Sequence, residues 1–102
     1  MLRWLERWAF NRVQKRIGTW GDKTFPKATP ESIYRHLCRE IKELGEDYAL
    51  VEAEHADCIL LLTHIAHKKK FSMYDAFTAK FEINKRRKWG KPDAEGVVEH
   101  ID

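Results

Sequence analysis

Two pairs of carboxylates stand out in the middle of the sequence: Glu40 with Glu43, and Glu54 with Asp57. Each pair has i, i+3 spacing, which places both side chains on one side of an α-helix. The turn-prone stretch Gly45 to Asp47 lies between the pairs, so one helix can end there and another can begin. If the two helices fold back antiparallel, Glu40 lies level with Asp57 and Glu43 lies level with Glu54. The spacing therefore predicts four carboxylates at one focus.

Four carboxylates this close repel one another, and in a helical bundle they need a compensating cation. Mg²⁺ suits such a site because it prefers oxygen ligands and binds beside substrate phosphates, with Mn²⁺ as the alternative ion. A solvated surface is the simpler alternative, since most helical Glu pairs are only that. The apolar pattern favours a shared site, because Glu40 borders a predicted buried stripe and Asp57 opens a predicted buried run. The stripe is Ile33, Leu37, Ile41 and Leu44, and the run is Cys58 to Leu62.

Helical periodicity throughout the chain predicts an all-α fold, a bundle of about four helices in a single domain over residues 1–102. The first helix covers residues 2 to 17 within an N-terminal segment 1–19, and Gly18 is expected to end it. A loop rich in turn residues and aromatics is expected to follow. The predicted apolar face of the first helix is Leu2, Leu5, Ala9, Val13 and Ile17.

Capping residues mark the later helices. Thr29, followed by Pro30, is expected to cap the second helix. The third helix is expected to end near His67, where the lysines of residues 68–70 suit a helix C-terminus. Ser72 and Asp75 form a capping pair for a last helix over about residues 73 to 89, which Gly90 and Pro92 close. Residues 93–102 are expected to form a tail that is loose or docks on a neighbour.

Length and composition limit the function. A chain of 102 residues has a small core, so a second subunit is expected to complete it. The net charge of +3 is too small to argue for nucleic-acid binding. Cys38 and Cys58 are expected to stay reduced, and no apolar run is long enough to span a membrane. These features predict a cytoplasmic protein.

The last predicted helix carries an unusual polar row. Lys80, Asn84 and Arg87 share one face at i, i+4, i+7 spacing and interrupt an otherwise apolar side. Arg binds phosphate through two parallel hydrogen bonds, and Lys binds it as a point charge. The row therefore suits a polyphosphate.

Taken together, these motifs resemble the all-α nucleoside triphosphate pyrophosphohydrolases of the MazG-like superfamily, and most closely the phage branch described as dATP/dGTP diphosphohydrolases. The resemblance covers most of residues 20 to 102. Many relatives begin the first motif with two adjacent acidic residues where this chain has Arg39-Glu40, which leaves the number of metal ions open. The matching motifs are His36-Leu37-x-x-Glu40-x-x-Glu43, Glu54-His55-Ala56-Asp57 and Lys80-x-x-x-Asn84-x-x-Arg87-Lys88-Trp89. The likeness to the phage branch is carried by the loop with Trp20 and Thr24-Phe25 and by the ending Val98-Glu99-His100-Ile101.

The resemblance implies cleavage of a (deoxy)nucleoside triphosphate between the α- and β-phosphates, giving the monophosphate and pyrophosphate. It also implies a homodimer or homotetramer with sites near subunit boundaries, located in the host cytoplasm if a phage encodes the chain. One or more Mg²⁺ ions held by the four carboxylates would lower the pKa of the attacking water, and Glu43 is the candidate proton acceptor. Lys80, Asn84 and Arg87 would hold the outer phosphates.

A purine base needs an apolar clamp and a few hydrogen-bond partners. Trp20, Phe25 and Trp89 are candidates for the clamp, although ordinary packing is the more common role of such residues. His36 lies one turn before Glu40 and can face the phosphates or the base, and a structural role is an equal alternative for a lone histidine.

Two other functions are compatible with parts of the sequence. A helical di-iron site needs two Glu-x-x-His motifs, and this chain offers only Glu52-x-x-His55, to which His64-x-x-His67 adds a pair of histidines. A module that binds RNA or a protein partner would use the Trp-rich first helix and the basic residues near Lys85. That second hypothesis leaves the level carboxylate pairs unexplained, so no nucleic-acid partner is predicted. A basic, Trp-bearing first helix could also lie on a membrane surface, but packing within the bundle or on a second subunit is the preferred prediction.

Overall fold

The computed structural model describes residues 3–46 and 51–102. For Glu46 and Val51, at the edges of these ranges, it describes the backbone only. The described residues contain four helices, which confirms the predicted all-α class. They are α1 (Arg3–Thr24), α2 (Pro30–Glu46), α3 (Val51–Lys69) and α4 (Met73–Arg86). The predicted turn begins at Gly45, which is still helical, and its last residue Asp47 lies outside the described residues. Within the described ranges no helix is both long and apolar enough to cross a membrane.

Helices α2 and α3 form the most extensive helix pair, and α1 packs against both α3 and α4. The start of α2 is capped as predicted, because the Ser32 amide donates to Thr29 Oγ1 at 3.1 Å and the Thr29 amide donates to Ser32 Oγ at 3.0 Å. Ile33 and Leu37 are buried, whereas Ile41 is 53% exposed. The predicted buried stripe of α2 is therefore correct only in its first half.

Helix α1 runs to Thr24, so the prediction that Gly18 ends it is wrong. Gly18 and Gly21 lie on the side of α1 that faces α3, where the rings of His67 and His64 approach the α1 backbone. A Cβ at Gly21 would lie 2.6 Å from His64 Cε1, and one at Gly18 would overlap the His67 ring. These glycines serve close helix packing and do not terminate the helix.

The buried face of α1 also differs from the prediction. Leu5 and Val13 are exposed, whereas the polar Gln14 is buried. Gln14 accepts a hydrogen bond from the Met73 amide at 2.8 Å and donates one to the Phe71 carbonyl at 2.7 Å. It therefore satisfies backbone groups of the connection between α3 and α4, which an apolar side chain could not do.

Helix α3 exposes much of its apolar run in the single chain. Ile59 and Leu60 are 57% and 44% exposed, so the prediction that this run is buried on all sides does not hold within one chain. The buried residues of α3 lie further along and include Thr63, His64 and Ala66.

Helix α4 begins as predicted, with Ser72 Oγ accepting from the Asp75 amide at 3.1 Å. It joins α1 through a bidentate ion pair, in which the Arg7 guanidinium contacts both carboxylate oxygens of Asp75 at 2.8 and 2.9 Å. Helix α4 ends at Arg86, and Arg87 has an extended backbone conformation. The predicted extension of this helix to residue 89 is wrong.

The C-terminal residues fold back on themselves and do not form a loose tail. Trp89 and His100 form an antiparallel β-bridge. The Gly90 amide donates to the Glu99 carbonyl at 2.9 Å, and the Ile101 amide donates to the Lys88 carbonyl at the same distance.

Candidate functional site

Three carboxylates from two helices converge near the end of the α2–α3 pair. Glu40 lies on α2, and Glu54 and Asp57 lie one turn apart on α3. One oxygen from each carboxylate lies within 4.8 Å of the others. Glu40 and Glu54 are half-buried and Asp57 is exposed, so the group is accessible from solvent. Three hard oxygen donors at this separation fit a divalent ion such as Mg²⁺ or Mn²⁺.

Glu43 does not join this group. Three residues along an α-helix correspond to about 300°, so Glu43 is rotated by about 60° from Glu40. This rotation carries it away from the buried residues Ile33 and Leu37, and its side chain is exposed. The predicted focus of four carboxylates therefore contains three of them.

His36 extends the group by one helical turn. Its Nε2 lies 3.2 Å from Glu40 Oε1, which places an imidazole beside the half-buried carboxylate. The Glu-x-x-His motif of the di-iron hypothesis is not part of this site, because neither Glu52 nor His55 belongs to the group of three.

A cavity of about 400 Å³ adjoins the carboxylates. Trp20 and Phe25 form one wall, and their ring centroids lie 5.5 Å apart in an edge-to-face arrangement. Both rings are about half exposed, so they are available to a ligand. The cavity is mostly apolar, and its polar lining residues are Ser32, His36, Glu40, Asp57 and His64.

A second polar cluster holds α1 against α3 beside this cavity. Asp22 Oδ1 contacts His64 Nε2 at 2.9 Å and Lys68 Nζ at 2.8 Å, and Asp22 Oδ2 contacts His67 Nε2 at 3.1 Å. The hydrogen bond from Lys68, with that from His64, holds the pKa of Asp22 far below the usual range of a carboxyl group.

Sequence reasoning missed this cluster. From the sequence, Lys68 is expected only as a cation at a helix C-terminus, and the two histidines only as ligands of a di-iron site. A usable signal was present, because Gly18 and Gly21 have the same i, i+3 spacing as His64 and His67. Matched spacing of small and large residues on two helices is typical of close packing.

The predicted phosphate-binding residues lie elsewhere. Lys80 and Asn84 are on α4, which packs on α1, and none of Lys80, Asn84, Arg87 and Trp89 lines the cavity. Arg87 follows the end of the helix, so it does not continue the predicted helical row. Among the described residues, Asn84 Oδ1 is buried without a hydrogen-bond partner. Trp89 Nε1 donates to the Asn84 backbone carbonyl at 2.9 Å, which fixes the indole beside α4 and away from the cavity.

Comparison with known proteins gives consistent matches. The family model described as dATP/dGTP pyrophosphohydrolase matches residues 13–102. A dATP/dGTP diphosphohydrolase of cyanophage S-2L is 31% identical over 90 residues, which are 87% of this chain and 85% of that protein. A dATP/dGTP diphosphohydrolase of Salmonella phage PMBT28 is 35% identical over 89 residues, 87% of this chain, but the match spans only 30% of that longer protein.

A solved structure is also similar. It is the cyanophage S-2L MazG-like pyrophosphohydrolase bound to dGDP and three catalytic Mn²⁺ ions per active site. The two structures superpose with a TM-score of 0.75 at 28% sequence identity, and the match covers 91% of this chain and 97% of the other.

Proposed function

The chain belongs to the dATP/dGTP pyrophosphohydrolase family, and from this membership we propose that it hydrolyses deoxypurine nucleoside triphosphates to the monophosphate and pyrophosphate. One observation carries the proposal: Glu40, Glu54 and Asp57 converge at the edge of a cavity of about 400 Å³. That volume lies within the range of small-molecule binding sites.

Glu40, Glu54 and Asp57 would hold Mg²⁺ or Mn²⁺, which when bound neutralises phosphate charge and lowers the pKa of a water, so that it can lose a proton and attack phosphorus at neutral pH. We assign proton acceptance from that water to Glu43, one turn from Glu40; its carboxylate lies outside the group of three, so in this role it would turn toward the bound ion. His36 lies beside the carboxylates, because its Nε2 is 3.2 Å from Glu40 Oε1. It would hold the Glu40 carboxylate in place and contact the phosphates.

The cavity would bind the nucleoside. Trp20 and Phe25 provide an apolar wall on which a flat base can pack, and Ser32 supplies a hydroxyl. Because the cavity adjoins Glu40 and Asp57, a base bound there would direct its phosphates toward the carboxylates. Trp89 does not line the cavity, so we assign it no role in clamping the base of the same chain.

Lys80, Asn84 and Arg87 would bind the outer phosphates of a substrate held by a neighbouring copy. They do not line the cavity of their own chain, and the structure leaves apolar surface on which a second copy can pack. The exposed apolar residues include Val13, Ile41, Ile59, Phe81 and Ile83, which lie on all four helices. A homodimer or homotetramer with sites near subunit boundaries accounts for both observations.

A nucleotide panel tests the proposed reaction. We expect the protein to release pyrophosphate from dATP and dGTP in the presence of Mg²⁺ or Mn²⁺, and to release none in excess EDTA. Pyrimidine triphosphates should be hydrolysed about tenfold less efficiently, because a smaller base stacks less area on Trp20. Release of orthophosphate instead of pyrophosphate, or no metal-dependent hydrolysis of any nucleotide, would exclude the proposal.

Mixed oligomers test the shared site. Asp57→Asn removes a carboxylate and Arg87→Ala removes a phosphate contact, so each variant alone should have little activity. When the two are co-expressed with different tags, hybrids regain intact sites composed of residues from both chains. In a purified hybrid dimer one of the two sites is intact, so it should recover about half of the wild-type activity. Hybrids no more active than their parents would place Arg87 and Asp57 in the site of one chain.

A further inference from the structure

His64 joins two features of the molecule that are otherwise separate. Its side chain is 7% exposed and lines the cavity together with Trp20 and Gly21. Its Nε2 also contacts Asp22 Oδ1 at 2.9 Å, in the cluster that fastens α1 to α3. The packing is close, because a Cβ at Gly21 would lie 2.6 to 2.8 Å from three atoms of the ring. The ring therefore has little freedom to turn.

The contact with Asp22 fixes which nitrogen of His64 carries a proton. A carboxylate oxygen only accepts hydrogen bonds, so Nε2 must be the protonated nitrogen. Asp22 also contacts Lys68 Nζ at 2.8 Å, so its contact with His64 needs only the single N–H of the Nε2 tautomer. In that tautomer Nδ1 carries a lone pair and acts only as an acceptor. Among the described residues, the His64 ring forms its hydrogen bond through Nε2, which leaves Nδ1 for a ligand.

We propose that His64 is a substrate-binding residue, whose Nδ1 accepts a hydrogen bond from an N–H or O–H group of the nucleoside in the cavity. Asp22 is then a positioning residue, because it holds the ring in the accepting tautomer. This inference rests on the proposed function, since it places the nucleoside in this cavity. It adds that the site selects for a hydrogen-bond donor on the nucleoside, which apolar packing on Trp20 and Phe25 alone would not do.

Substrate analogues that lack one donor test the proposal. The panel compares dGTP with its analogue lacking the 2-amino group, dATP with its analogue lacking the 6-amino group, and each with its 3′-deoxy form. The base and the sugar are thereby tested separately. For the wild type, one of these deletions should lower kcat/KM about tenfold, as expected for loss of one hydrogen bond. In His64→Leu, kcat/KM for the complete substrate should fall to the wild-type value for that analogue. Removing the donor group from the substrate should then lower kcat/KM little further.

His67→Leu is the matched control. His67 also donates to Asp22 and lies one turn from His64, but it does not line the cavity. Both variants remove one donor from the same carboxylate, so a purely structural role predicts equal effects. We expect His67→Leu to keep the tenfold discrimination. Asp22→Asn should weaken it, because an amide can donate to Nε2 and permit the opposite tautomer.

The remaining outcomes are also decisive. His64→Gln should restore part of the discrimination, because its amide oxygen can accept a hydrogen bond from the nucleoside. If the leucine variants do not fold, His64→Gln and His67→Gln are compared in their place. Equal discrimination in the His64 and His67 variants, or a wild type indifferent to every deletion, overturns the role of His64 while metal-dependent hydrolysis stands. A wild type without hydrolysis of any nucleotide overturns the proposed function first and this inference with it.

Discussion

Replacement of Glu40 by Gln, or of Asp57 by Asn, should lower kcat/KM for dATP and dGTP by about a thousandfold and leave the helical fold intact. Both substitutions keep the size of the side chain and remove one of three charges whose oxygens lie within 4.8 Å of one another. Loss of a charge weakens the hold on a divalent ion, on which the proposed reaction depends. It also relieves repulsion between carboxylates when no ion is bound.

Activity and stability should therefore change in opposite directions. Without metal, the Tm of Glu40→Gln should equal or exceed that of the wild type. Saturating Mn²⁺ should raise the Tm of the wild type, because an ion that binds only the folded state stabilises it, and should raise the Tm of the variant less. Thermal unfolding followed by circular dichroism, with and without Mn²⁺, measures both effects.

Glu52→Gln is the matched control for this prediction. Glu52 is an exposed carboxylate on α3, two residues before Glu54, and is not part of the group of three. Its replacement should leave hydrolysis and the effect of Mn²⁺ on Tm unchanged. Glu43→Gln separates proton transfer from ion binding: it should lower kcat and keep the Mn²⁺-dependent rise in Tm. Full activity in both Glu40→Gln and Asp57→Asn would remove the three carboxylates from the mechanism.

The local signals in the sequence predicted local structure well. Thr29 with Ser32, and Ser72 with Asp75, form the expected caps because a cap depends on residues within one turn. Glu40 and Asp57, expected to lie level, are also found close together in the group of three carboxylates. Glu43 was expected at the same focus but lies outside the group of three. The level of a residue along a helix does not determine its direction around the helix.

The features that the sequence did not predict depend on contacts between distant segments. Gln14 is buried because it forms hydrogen bonds with backbone groups near Phe71. Local sequence patterns cannot predict that the connection containing Phe71 packs against α1. The apolar residues Leu5 and Val13 remain exposed within one chain, so an apolar pattern identified a surface without identifying its partner. Gly18 gave the most misleading signal. Glycine often marks the end of a helix, but Gly18 lies inside α1 and allows the His67 ring to pack closely.

Replacement of Gly18 or Gly21 by Ala should lower the free energy of unfolding by about 2 to 3 kcal/mol each. Alanine favours helix over glycine, so local propensity alone predicts a gain of up to about 1 kcal/mol. The clash outweighs this gain, because the atoms that a Cβ meets belong to the rings of His67 and His64. Neither ring can move without breaking its hydrogen bond to Asp22. For a domain of this size the loss corresponds to a fall in Tm of roughly 10 to 20 °C.

Gly45→Ala is the matched control within the same chain. Gly45 is also helical, but a Cβ there would meet nothing within 4 Å. This variant should be neutral or more stable by up to about 0.5 kcal/mol, because it lies near the end of α2 where helix propensity counts less. Urea unfolding measures the change in free energy of unfolding for Gly18→Ala and for Gly45→Ala. The difference between the two changes separates the cost of the contact with α3 from the general effect of adding a methyl group.

A double-mutant cycle assigns the cost of Gly18→Ala to its contact with His67. Truncation of His67 to Ala removes the ring that the new Cβ meets, so the double variant should be more stable than the sum of the two single effects predicts. The coupling should reach about 1 to 2 kcal/mol. Strict additivity, with Gly18→Ala as costly in the His67→Ala background as in the wild type, would mean that the His67 ring does not require glycine at that position. The close approach of α1 to α3, which also brings His64 to the cavity, would then need another explanation.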